Sequence, residues 1–364
     1  MRTVLVVNRD KFLQNLNYIR GIIDPQVKLL AVVKADAYGH GAVEIAKECL
    51  NHKVDYFGVA TLEEAIELRE AGIKLPILIL TEPVDCGLLE EVLYYDFTLT
   101  VYSRNFIIDV GRISQQFKKK IKVHLKVDTG MHRVGVPRTE ALEQVENILK
   151  EDFLSLEGVY THLAEADNPD KTYTLFQLAE FEEVIKQFRE KLISIPLIHV
   201  ANSSGTINFP EAHYNMVRVG IALYRNILTF SSKVIFLKAV KAGESVGYGK
   251  TYKALKNMVV AIVSVGYADG YSRLLSNQGV VLIKGKRCRI CGNVCMDMIM
   301  VEVDNKVEIG DKVTLIGCDG KETITAQDIA TLTKTIDYEV MCSIGKRVPR
   351  QYCSILGDSV MSVE

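Results

Sequence analysis

The sequence has no surplus of either charge: its 364 residues carry 44 lysines and arginines against 45 aspartates and glutamates. So balanced a chain has no broad field with which to hold nucleic acid or an anionic membrane surface, and neither is expected as a partner. Long hydrophobic runs are missing as well. The apolar part of the opening Met1-Arg2-Thr3-Val4-Leu5-Val6-Val7-Asn8 is too short for a secretory signal. No later run reaches the length of a membrane span, and there are no internal repeats or low-complexity segments. The eight cysteines are scattered, a usage that fits free thiols in a reducing cytoplasm. Cys288, Cys291 and Cys295 lie close together, but no fourth Cys or His stands at ligand spacing and the segment reads as sheet. No metal site is therefore expected.

What is present is alternation. The length suggests two domains, or a barrel with an appendage. Residues 1–8 read as an isolated strand, and Phe12, Leu16, Ile19 and Ile23 recur at helical spacing over 10–23. Apolar strand candidates follow at Lys28–Val33, Tyr56–Ala60, Ile77–Leu80, Phe97–Val101, Lys122–Val127, Leu156–His162, Leu197–Ala201 and Met216–Leu223. Helical patterns fall between them near 43–51, 62–71, 86–94, 104–117, 139–150 and 173–192, with a short one near 204–209. Eight such units predict a (β/α)8 TIM-type barrel over 9–230, an α/β fold; an open doubly wound sheet would not require eight. Residues 231–364 change character, with β-rich runs at Met258–Val265, Val280–Lys284, Met298–Val303 and Lys312–Ile316 and a helix near Ala326–Thr333. They predict a mostly antiparallel β domain. Residues 1–8 are expected to pair with it, because a closed barrel has no free edge.

In a barrel, chemistry sits at the C-terminal ends of the strands. Polar residues collect at those places: Lys34, then Lys126 with Asp128 and Arg133, Thr161 with His162, Asn202 with Ser203, and Arg218 just before Gly220. Lys34 closes the apolar Leu29–Val33 strand, and Tyr38, Gly39, His40 and Gly41 make a turn into a helix starting near Val43. Burial disfavours the charged amine and lowers its pKa. The result is a nucleophile able to form a Schiff base with an aldehyde; a lysine snorkelling from a sheet edge is the structural alternative. Asn202-Ser203-Ser204-Gly205 and Gly220-Ile221 offer backbone amides and hydroxyls suited to an anion.

Val33-Lys34-Ala35-Asp36-Ala37-Tyr38-Gly39-His40-Gly41 resembles the cofactor-lysine motif of the alanine racemases. Further motifs match in order over nearly the whole chain. They are His124-Leu125-Lys126-Val127-Asp128-Thr129-Gly130-Met131-His132-Arg133, Thr161-His162-Leu163-Ala164, Met216-Val217-Arg218-Val219-Gly220, Val265-Gly266-Tyr267-Ala268-Asp269-Gly270-Tyr271, Cys295-Met296-Asp297 and Arg347-Val348-Pro349-Arg350. The resemblance implies an isomerase that uses pyridoxal 5′-phosphate and interconverts L- and D-alanine, supplying D-alanine for peptidoglycan of the cell wall. Lys34 and Tyr267 would be its two catalytic bases. Lys34, Tyr38, Arg133, His162, Asn202, Ser203, Arg218, Gly220 and Ile221 would hold the cofactor. Arg133 and the Met296 amide would meet the substrate carboxylate, and Lys126 would be a lysine open to carbamylation.

Arg218 would face the ring nitrogen. An arginine does not readily give up its proton, so it leaves that nitrogen neutral and favours quick reprotonation over transamination. Because Tyr267 and Met296 enter the family's site from the other subunit, a cytoplasmic homodimer with shared active sites is implied. Three residues depart from common family usage: Lys346, Arg225 and Asn293. They bear on pocket width and so on how strictly alanine is preferred. A racemase of broader or serine preference, a non-catalytic pyridoxal-phosphate carrier, and a barrel-plus-β-domain decarboxylase are the rival readings. The β domain and Tyr267 argue against the carrier.

Overall fold

In the computed structural model, which describes residues 2–83 and 86–354, the apolar strands of the first part of the chain close into a ring. Lys28–Val32, Tyr56–Val59, Ile77–Ile79, Thr98–Val101, Ile121–Asp128, Leu154–Tyr160, Leu197–His199 and Met216–Val219 pair in parallel in that order. The eighth then returns to the first, with Val217 opposite Leu29 and Arg218 opposite Leu30. This is the expected (β/α)8 barrel. Its second, third and fourth strands are buried at every position, as strands must be when side chains fill one face and helices cover the other.

The helices begin where their sequences provide caps. The Thr61 side chain accepts from the Glu64 amide while the Glu64 carboxylate accepts from the Thr61 amide, a reciprocal box that starts Leu62–Glu70. Ser103 caps Arg104–Phe117, which stops at Lys118 in the left-handed conformation.

The chain divides into two compact units. One takes Leu13–Ala37 and Ala42–Leu223; the other takes the residues up to Phe12, Tyr38–Gly41 and the chain from Tyr224 onward. The second unit is built on one long strand, Leu228–Val240, which pairs antiparallel with Val4–Asn8, Lys312–Asp319 and Met258–Val263. Met258–Val263 pairs in turn with Ile299–Val303, and Val280–Ile283 with Lys286–Arg289. Val4–Asn8 is also joined in parallel by Arg350–Cys353. Cys291 packs with Val240, Val246, Val260 and Met300 in this unit's core.

The 230/231 boundary drawn from the sequence falls inside the Leu228–Val240 strand. Residue 1 and residues 355–364 of the expected β segment lie outside the described residues. Among the described residues, no helix is long and apolar enough to cross a membrane.

Candidate active site

The first barrel strand ends at Val32 and Lys34 opens the turn that follows; the four residues after Lys34 do something the sequence does not announce. Ala35, Asp36, Ala37 and Tyr38 all take positive φ, between 51° and 56°, so the chain winds one left-handed turn before Gly39 and Gly41 at φ 82° and 95°. Each L-residue in that conformation costs about 1–2 kcal/mol, so the turn persists only because its surroundings fix it. The Ala37 amide donates to the Val33 carbonyl at 2.9 Å, and the Ala42 amide to Asp36 Oδ1 at 2.8 Å. The Glu64 carboxylate accepts from the Ala35 amide at 2.7 Å and from Ala60 at 2.7 Å. One helix cap thus also pins the backbone that follows Lys34. Beyond the turn, the buried Tyr38 ring lies 4.9 Å from the Tyr224 ring.

Around the same mouth the barrel collects cations. Arg218, on the eighth strand and only 4% exposed, donates through one terminal nitrogen to His199 Nδ1 at 2.9 Å. Through the other it donates to the Thr161 carbonyl at 2.7 Å and to His162 Nδ1 at 3.2 Å. Burial draws its pKa down to about 10, which leaves it charged at neutral pH. Lys126 is drawn down to about 7, by burial first and then by the positive charges of Arg218, Arg133 and Lys34. Burial, then Arg218 and the same neighbours, holds His162 well below the usual imidazole range. Lys34, Lys126, Arg133, His162 and Arg218 therefore share one electrostatic environment. It contains far more positive than negative charge, with Asp128 the carboxylate acting on Lys126.

Beside it, Ser203 ties the loops after strands seven and eight together. Its buried hydroxyl accepts from the Gly220 amide at 3.0 Å and the Ala222 amide at 3.3 Å. Asn202 caps the short Ser203–Asn208 helix by accepting from Gly205 at 2.9 Å. Ile221 follows directly in a buried turn.

A second constellation forms in the β unit. The Tyr267 amide donates to the Cys295 carbonyl at 3.0 Å and the Ala268 amide to the Met296 carbonyl at 3.1 Å, so these two motifs are laced side by side. A Cβ at Gly266 would collide with the Cys295 and Met296 carbonyls; this is why a glycine precedes the tyrosine. The Asp269 carboxylate, 1% exposed, accepts from the Gly266 amide at 2.9 Å, from Arg2 at 2.8 Å and from Arg347 at 2.7 Å. Arg347 also reaches Asp297 at 2.6 Å. Tyr267 and Met296 themselves remain 44% and 52% exposed. Of the departures, Asn293 donates to the Tyr248 carbonyl at 2.8 Å, while Lys346 and Arg225 are exposed.

Sequence reasoning therefore named the mouth residues but not their supports: Glu64, Asp269 with Arg2, the buried His124, Tyr160 and His199, and the half-buried Glu157. One signal was available for His124. It stands two residues before Lys126 on a strand, and strand alternation puts both on one face.

With this geometry in view, the chain can be compared with known proteins. Residues 7–226 match the family model "Alanine racemase, N-terminal domain" and residues 227–352 match "Alanine racemase, C-terminal domain". An alanine racemase of Carboxydothermus hydrogenoformans is 42% identical over 95% of this chain and 98% of its own length. The solved alanine racemase of Clostridium difficile superposes with a TM-score of 0.92 at 36% identity, covering 98% of this chain and 96% of that one. A solved histidine racemase of Leuconostoc mesenteroides reaches 0.89 at 28% identity over 97% and 98% of the two chains. Two family models that together run from residue 7 to 352, and relatives that match end to end, make this chain a member of the alanine racemase family.

Proposed function

We propose that the protein interconverts L- and D-alanine with pyridoxal 5′-phosphate, and that this supplies D-alanine for peptidoglycan. The observation that carries the reading is the cation-rich mouth, where burial draws Arg218 below its ordinary pKa and burial, then the charges of Arg218, Arg133 and Lys34, draws Lys126 below its own. An anionic phosphate fits such a donor set, with Ser203, Gly220 and Ile221 as its cradle and Asn202 holding the helix start beside it. When bound, pyridoxal phosphate supplies an aldehyde that captures the substrate amino group and a conjugated ring that spreads negative charge from the adjacent carbon.

The chain's own residues then divide the work. Lys34 Nζ would hold the aldehyde, and the same amine would move a proton on one face of the substrate α-carbon. The Tyr267 hydroxyl of the partner subunit moves a proton on the other face, since racemisation needs one base per face. Arg218 would face the ring nitrogen and, staying charged, would leave it unprotonated. His162 stays neutral beside it and extends the network toward the tyrosine. Arg133 and the Met296 amide of the partner subunit orient the substrate carboxylate, and Tyr38 packs the far end of the lysine turn. Lys126 is the lysine open to carbamylation.

A homodimer follows from the role given to Tyr267. Tyr248, Leu274, Met296 and Met298 of the β unit are 77%, 61%, 52% and 40% exposed, apolar side chains that a partner would cover. A reducing, cytoplasmic setting suits the free cysteines among the described residues. The histidine racemase among the structural relatives keeps a second reading in play, a racemase of broader preference.

Two measurements test the reading. Borohydride reduction of the purified protein followed by peptide mapping should trap the pyridoxyl group on Lys34 alone; a label on another lysine would falsify the assignment. In deuterated water both alanine enantiomers should gain deuterium at the α-carbon, and Tyr267→Phe should abolish exchange from one enantiomer first. Undiminished exchange in both directions would remove Tyr267 from the chemistry. Relative rates on alanine, serine and histidine decide between the strict and the broad racemase.

A further inference from the structure

Behind Arg218, a line of polar side chains crosses the interior of the barrel, and none of them belongs to the machinery described above. Arg218 reaches His199 Nδ1 at 2.9 Å; His199 Nε2 meets His124 Nδ1 at 2.8 Å; His124 Nε2 meets the Glu157 carboxylate at 3.2 Å. The directions of these bonds are forced. A guanidinium only donates, so His199 Nδ1 must accept and its proton must sit on Nε2. That proton is donated to His124 Nδ1, which leaves His124 with its own proton on Nε2, donated to Glu157 Oε2. Every hydrogen bond points from the arginine toward the carboxylate. Aligned bonds of this kind polarise one another in a low-dielectric interior.

The surroundings hold the line in place. Both imidazoles are fully buried, and burial keeps both below the usual imidazole range and so neutral. Tyr160 stacks flat on His199, with ring centres 4.6 Å apart and planes 9° apart. Glu157 is the extra residue of a bulge: Val123 pairs with Leu156 and His124 with Gly158, leaving 157 unpaired between them. Bulges of this kind re-aim a side chain. Gly158 makes room, since a Cβ there would come within 2.5 Å of His124 Nδ1. Tyr56 and Thr98, the first residues of their strands, donate to Glu157 at 2.9 and 3.4 Å. The carboxylate thus lies at the strands' N-terminal ends, opposite the mouth. Burial alone would raise its pKa, yet the bonds from His124 and Tyr56 hold it below the usual carboxylate range.

We infer that Glu157 is the counter-charge of Arg218, relayed through His124 and His199 in their Nε2–H tautomers, and that these three are positioning residues that keep the guanidinium charged and aimed. A carboxylate placed directly against Arg218 would repel an anionic cofactor or substrate; one set two imidazoles away stabilises the cation and leaves the mouth positive. The consequence for catalysis rests on the racemase reading, but the hydrogen-bond line itself does not.

The test uses the purified full chain labelled with 15N-histidine. At pH 7.5 the His124 and His199 imidazoles, each assigned by the signal lost on its substitution by Asn, should show a protonated Nε2 and a bare Nδ1, both protected from exchange. In Glu157→Gln, which removes the charge, and in Gly158→Ala, which displaces the His124 ring without altering any ionisable group, those signals should shift or broaden. In both variants kcat should fall about tenfold with KM within about twofold, and Glu157→Asp should recover part of the loss. A proton on His199 Nδ1 would overturn the inference. So would variants that leave kcat unchanged while the ring signals move. A parent protein that takes up pyridoxal phosphate but does not racemise alanine defeats the functional reading alone, and the ring signals still decide the relay.

Discussion

At the scale of single residues, the mouth is governed by the cost of crowding cations where water cannot screen them. Lys126 shows this most clearly. With its pKa drawn down to about 7, roughly half of its amines are uncharged at neutral pH, against about one in a few thousand for an ordinary lysine. A neutral amine adds to the carbon of dissolved carbon dioxide and releases a proton, and the carbamate so formed is an anion among Arg133, Arg218 and Lys34. Equilibration with 13C-labelled bicarbonate should therefore yield a carbamate carbonyl signal that is missing in Lys126→Arg. The signal should weaken as pH falls below 7, because protonation removes the nucleophile. A signal of undiminished size in Lys126→Arg would assign the carbamate to another lysine.

At the scale of elements, the left-handed turn after Lys34 is the costliest piece of backbone near the site, and Glu64 stabilises it. Glu64→Ala removes an acceptor from the Ala35 and Ala60 amides together. It should destabilise the protein by about 1–3 kcal/mol and lower kcat, since the lysine is then less firmly aimed. Ala35→Gly should do the opposite for stability. Ala35 is exposed at φ 51°, so glycine relieves strain without losing packing. The expected net gain is about 0.5–1 kcal/mol. Urea midpoints on the two variants check both signs.

The same element marks the limit of what the sequence revealed. The barrel was legible because buried parallel strands read as apolar runs, and the mouth was legible because its polar residues follow those runs. The turn was not: Ala35, Asp36 and Ala37 show no preference for positive φ as a series, and the glutamate that supports them lies a helix and a strand further along the chain. The bulge at Glu157 is equally silent, because an extra residue in one strand is defined only against its neighbour. The Leu228–Val240 strand was cut at 230/231 for a related reason. Ser231-Ser232-Lys233 interrupts it just past that boundary, so no unbroken apolar run carried it across.

At the scale of the whole molecule, three neutral histidines of the barrel set how the fold responds to acid. His124, His162 and His199 are each held below the usual imidazole pKa, in every case by burial first. In the unfolded chain each would titrate near its ordinary value of about 6.5. Above that pH neither state carries the protons and the three groups are neutral in their effect on folding. As pH falls through about 6.5 the unfolded chain takes up protons that the folded chain refuses. Each histidine then withdraws up to about 1.4 kcal/mol of stability per pH unit until its depressed folded pKa is reached. The Glu157 carboxylate, also depressed, adds its loss only at lower pH, below the ordinary carboxylate range. Urea midpoints should therefore fall gently from pH 8 to 7, where Lys126 in the folded chain gives up a proton that the unfolded chain keeps, and drop steeply from 6.5 to 5.5. His124→Asn should make that drop shallower even though it lowers stability at pH 8, because one of the refused protons is gone. An equally steep drop in His124→Asn would show that the barrel's acid sensitivity lies outside its interior.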